Sequence, residues 1–157
     1  MLFRSKTCNQ PLYTIDERGN RTDYTYHDPS GGLQSVTSPA AGGIRPETRN
    51  GYVLRNAWIA SPGGGYVQIP DPVWLLASAS FCRTSNATGN PAAPCAAAGD
   101  EILTTYDYGP NAGPNNLFLR GMVVSADGQS LRTCYEYDKL GRRVTETEPS
   151  ANLSSCY

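Results

Sequence analysis

The chain has 157 residues, 39% apolar and 17% charged, with 13 basic and 14 acidic side chains and a formal net charge of −1. So balanced a charge builds no field that would gather nucleic acid or an anionic membrane, and no apolar run approaches the roughly 20 residues of a membrane-spanning helix. With 16 Gly, 12 Pro and 10 Tyr, the composition favours turns and pleated surfaces over helices, and predicts one all-β segment over 1–157.

In chain order, "MLFRSK" is too short for a signal peptide, so export would be specified elsewhere or by a larger parent chain. From Asp16 to Pro39, "DERGNRTDYTYHDPSGGLQSVTSP" passes through an Asp/Gly turn and a strand with Tyr24 and Tyr26. A second turn with Asp28 and Gly31 and a further strand follow. Residues i and i+2 of a strand share a face, so both rings lie on one side of their sheet. A weaker copy over about 40–57 keeps Tyr52 in "RPETRNGYVLR".

Between about 58 and 103 this grammar lapses, which predicts a loop-rich insertion. "SPGGGYVQIPDP" and "SNATGNPAAPCAAAGDE" read as loops or hairpin tips around a buried strand, "WLLASASF". Trp58 and Trp74 are expected to cover core edges. Cys82 and Cys95 bracket a polar Gly/Pro-rich loop, a spacing that suits a stapled hairpin in an oxidising compartment, or else two buried thiols. Of five cysteines at least one stays unpaired within the chain, and the spacing leaves Cys8, Cys134 and Cys156 unassigned.

The grammar returns over 104–121, with Tyr106 and Tyr108 but Gly109-Pro110 where an Asp is expected. It is clearest over 127–149, "DGQSLRTCYEYDKLGRRVTETEP", with Tyr135, Tyr137, Asp138, Gly141 and Arg142. "SSCY" then repeats Cys134-Tyr135 as Cys156-Tyr157, the first step of a further unit. Asp16 and Gly19, Asp28 and Gly31, and Asp138 and Gly141 stand three apart. In a type I turn an Asp at the first position caps the backbone, and a Gly at the fourth accepts positive φ. Repetition at this length is typical of solenoids and propellers, where each unit must bury its face against neighbours.

The units at 16–39 and 127–149 resemble the YD repeat of the RHS family, bacterial proteins built from many such copies and similar to toxin-complex shells and teneurins. Asp16, Gly19, Asn20, Tyr24 and Tyr26 match one half of the pattern. Tyr135, Tyr137, Asp138, Gly141 and Arg142 match the other, while His27 takes an Asp place and displaces Asp28 by one. The resemblance implies antiparallel hairpins side by side in a long curved sheet, part of a shell or scaffold around secreted toxin or at a cell surface. Its expected partners are neighbouring repeats, copies of itself through exposed strand edges, and an encapsulated toxin domain in a parent protein. A self-assembling or carbohydrate-binding β module is the alternative.

No catalytic, cofactor or metal set emerges. His27, the one histidine, sits in a turn, and the cysteines form no Cys-x-x-Cys pair. "ASPGGGYV" lacks the Lys and helix of a phosphate loop. The acceptor patterns at Asn86 and Asn152 carry little weight in a bacterial protein.

Overall fold

A computed structural model describes residues 3–4, 10–151 and 153–157, and it is all-β. The strands are β1 (Phe3–Arg4), β2 (Pro11–Ile15), β3 (Arg21–Tyr26), β4 (Leu33–Thr37), β5 (Glu47–Ala60), β6 (Tyr66–Cys82), β7 (Glu101–Asp107), β8 (Gly121–Ala126), β9 (Gln129–Tyr137) and β10 (Arg143–Glu146). Each hydrogen-bonds to the next in sequence order, so a single open sheet is laid down as a meander. The pairs with described registers are antiparallel, which short turns permit. One short 3₁₀ turn, Pro149–Ala151, is the helical element among the described residues.

The chain forms two compact units, residues 1–51 with 79–102, and 52–78 with 103–157. Within the first, β2, β3 and β4 pair in register Tyr13↔Asp23 and Tyr24↔Val36. Within the second, β7, β8 and β9 pair in register Thr105↔Val123 and Gly121↔Cys134. A sheet with no facing layer has little interior. Among the described residues the buried apolar side chains are three cysteines, Cys82, Cys95 and Cys134.

The interior differs from the expected insertion. Of "SPGGGYVQIPDP", residues 61–65 turn and the rest lies in β6, which with β5 makes a hairpin of 17- and 14-residue strands. Ser61 N–H donates to Gly65 O and Gly64 N–H to Ser61 O, both at 3.0 Å. Carried along the strands from that turn, the ladder alternation directs Pro70 and Pro72 away from β5, where a missing N–H is tolerated. The expected strand at Trp74–Phe81 is the second half of β6, and the loop at 83–100 is present as read.

Candidate functional site

The corners come first, because they fix where each tyrosine strand ends. At 16–20 the Asp16 carboxylate accepts the N–H of Arg18 at 2.8 Å and of Asn20 at 2.9 Å, and the Asn20 carboxamide at 2.8 Å. At 138–142 Asp138 accepts the N–H groups of Leu140 and Arg142 at 2.9 Å each, and Arg142 Nε at 2.7 Å. Gly19 and Gly141 return their N–H to the Asp carbonyl at 3.0 Å with φ of 84° and 77°. These donors hold both carboxyls below the usual range, led by the Asn20 side chain at Asp16 and by the Arg142 backbone N–H at Asp138. The turn at 61–65 repeats the same backbone frame with Ser in place of Asp.

The corner at Asp28 departs from that scheme. His27 N–H donates to Gly32 O at 2.8 Å, and Gly31 N–H returns to His27 O at 2.8 Å, so the turn runs 27–32 and begins one residue earlier than Asp28. Ser30 Oγ caps Gly32 N–H at 3.0 Å, in the role expected of Asp28. At Asp127-Gly128, φ of 52° and 72° close β8 onto β9 as a two-residue hairpin of the primed type.

The tyrosine pairs show a common arrangement. Tyr26, Tyr108 and Tyr137 each donate the hydroxyl to a backbone carbonyl at 2.8 Å, those of Pro11, Leu76 and Leu119. Extending the registers Tyr13↔Asp23 and Gly121↔Cys134 places Pro11 and Leu119 opposite the residue before Tyr26 and Tyr137 respectively. On the other side each strand meets a register shift, between Thr25↔Ser35 and Tyr26↔Leu33 and between Glu136↔Thr145 and Tyr137↔Arg143. One residue, Gln34 or Val144, bulges in each case. Burial raises the phenol pKa of Tyr26 and of Tyr108.

The first tyrosines vary more. Tyr24 shares a 3.2 Å hydrogen bond with Thr14 Oγ1, and Arg143 lies over the Tyr135 ring at 5.4 Å. Tyr106 pairs with Met122 and lines an open groove of about 320 Å³ with Arg55, Asp107, Tyr108 and Arg132. Arg55 is engaged there by the carbonyls of Gly109 at 2.6 Å and Asn116 at 2.9 Å. Asp107 is held by Gly109 N–H at 2.8 Å and Arg132 at 3.3 Å.

Cys82 and Cys95 form a disulfide with Cα atoms 5.6 Å apart, closing the stapled loop. Asp100, 5% exposed, organises that loop. Its carboxylate accepts Thr84 N–H at 3.0 Å, Thr84 Oγ1 at 2.8 Å and Ser85 Oγ at 2.6 Å. The Ser85 hydroxyl leads the causes that lower its pKa to about 2. Cys82, Cys95 and Asp100 lie close enough to suggest a metal set, but both sulfurs are taken by the S–S bond and offer no thiolate.

A second disulfide, Cys134–Cys156, spans 22 residues with Cα atoms 5.4 Å apart. The echo of Cys-Tyr at that spacing is its one trace in the sequence, and it reads there as a new repeat. Cys8 lies outside the described residues, as does Asn152. Two disulfides indicate an oxidising, non-cytoplasmic setting.

No helix among the described residues is long and apolar enough to cross a membrane. No protein-family model matches the chain, and no curated protein matches it.

Proposed function

We propose that the chain is a non-catalytic structural segment of an RHS-type, YD-repeat protein. In this reading it contributes strands to a β-sheet shell or scaffold associated with secreted toxin or cell-surface proteins, and it leaves the cell as part of a larger protein or by a signal specified elsewhere. One observation carries the reading: the second hydroxyl of each tyrosine pair is engaged by the backbone of its own sheet at 2.8 Å. Phenols bound in this way join strands and are not presented to a ligand. The equal placement of Tyr26 and Tyr137, down to the neighbouring bulge, is what copies of one unit would give.

Replacing Tyr26, Tyr108 or Tyr137 by Phe is expected to lower unfolding free energy by about 1 kcal/mol each, read by urea denaturation. Glycan-array binding should be absent in both wild type and variants. Binding that disappears in a variant of unchanged stability would instead make the tyrosines a recognition surface.

A second reading, self-assembly, is favoured by β10. All four of its residues are exposed, and β9 is its one partner among the described residues. An unpaired edge of this kind templates pairing with another strand.

A further inference from the structure

The segment 153–157 crosses a face of the second unit. Asp107, Gly121 and Cys134 stand side by side on β7, β8 and β9. Cys156 is bonded to Cys134, and a Cβ on Gly121 would lie 2.8 Å from Cys156 Sγ. The Tyr157 hydroxyl reaches the Asp107 carboxylate at 3.2 Å and 3.3 Å. Among the described residues, no backbone ladder ties 153–157 to a strand. One covalent bond and a few side-chain contacts therefore hold the segment down.

Cys156-Tyr157 also repeats Cys134-Tyr135. A strand built on that echo would lie beyond β10, two strands from β9. Strands stand about 4.8 Å apart, so the two cysteines would then be separated by about 9.6 Å, beyond the reach of a disulfide. The 5.4 Å Cα separation of the bonded pair is incompatible with that placement.

We propose that Cys134–Cys156 is a redox latch. Oxidised, it holds 153–157 across the Asp107–Gly121 face; reduced, it uncovers that face and lets Cys156-Tyr157 pair beyond β10. The second half rests on the repeat reading above. A dithiol supplies the two electrons. One thiolate attacks Cys156 Sγ and expels Cys134 sulfur, which takes a proton. The second thiol then closes on the mixed disulfide, forming the reductant's own S–S bond and releasing Cys156 as a thiol. Cys134 is 5% exposed, but Cys156, the sulfur attacked, is half-buried, whereas both Cys82 and Cys95 are shielded at 6% and 8%, so the latch opens first.

The test titrates the oxidised chain with dithiothreitol and follows thiol alkylation, amide NMR shifts and hydrogen exchange. Cys134 and Cys156 are expected to be alkylated before Cys82 and Cys95. The amides of Asp107, Gly121 and Arg132 should shift, and Glu146 N–H should gain protection. Cys156→Ser under oxidising conditions reproduces these shifts. Gly121→Ala crowds the sulfur and should open the latch at roughly tenfold lower dithiothreitol. Cys82–Cys95 reducing first, or Asp107, Gly121 and Arg132 amides unmoved in Cys156→Ser, overturns the latch. A freed face with no gain at Glu146 overturns the strand exchange. The repeat reading fails separately, if the tyrosine-to-phenylalanine variants keep full stability.

Discussion

Gly19 and Gly141 occupy the same place in the same turn, yet their surroundings differ. A Cβ at Gly19 meets nothing within 4 Å, whereas one at Gly141 would sit 2.7 Å from the Phe118 ring. Gly19→Ala therefore costs the left-handed conformation alone, about 1 kcal/mol. Gly141→Ala adds displacement of a ring tilted against Tyr137 with centroids 5.0 Å apart, and is expected to cost about 2 kcal/mol or more, by urea midpoint. Asp100 gives the residue scale its pH dependence. Its folded pKa of about 2 lies below the ordinary aspartate value of 3.8, so its stabilisation is present above about 4 and lost as pH falls through about 2. Asp100→Asn should flatten stability across that window, measured by denaturation at pH 5, 3.5 and 2. At this scale the sequence was most readable. A carboxylate, two spacers and a glycine act over five residues, so their meaning needs no tertiary context. His27 shows the limit, since a one-residue offset transferred the cap from Asp28 to Ser30.

At the scale of elements, β5 and β6 explain why residues 66–73 read as part of a loop or hairpin tip although they continue a strand. Triple glycine and two prolines signal irregularity wherever a strand must pair on both sides. Here Pro70 and Pro72 face away from the partner in the hairpin, so local chemistry and strand pairing do not conflict. The second disulfide is illegible for a related reason, because the Cys-Tyr echo points to the first step of a further repeat, a place that the bond excludes. The edge of β10 offers a direct measurement. Asp138 N–H to Arg142 O and Thr147 N–H to Cys134 O set the ladder on either side of the bulge. That alternation turns Glu146 N–H outward, so Glu146→Pro removes an outward donor without breaking the β9 pairing. Wild-type chain is expected to associate with rising concentration by light scattering, and Glu146→Pro to stay monomeric. A wild-type monomer at high concentration sinks the self-assembly reading.

For the whole molecule, the open sheet accounts for the small interior. Buried apolar side chains reduce to three cysteines among the described residues, all of them in disulfides. Loops of these lengths contribute about 3 kcal/mol per bridge, a large part of the 5–15 kcal/mol typical of a domain. The all-β class followed from composition, since Gly, Pro and Tyr abundance reports on turns and pleats wherever they fall. How far two strands run before turning does not.

Asn116 shows what guards such a sheet where its edge is bare. Its carboxamide oxygen accepts Trp58 N–H at 3.2 Å and its Nδ2–H donates to Asn56 O at 2.8 Å, replacing a missing strand with one side chain. Deamidation there would trade the donor for a negative charge, leave Asn56 O unanswered, and turn chemical ageing of a single residue into an opening for misassembly.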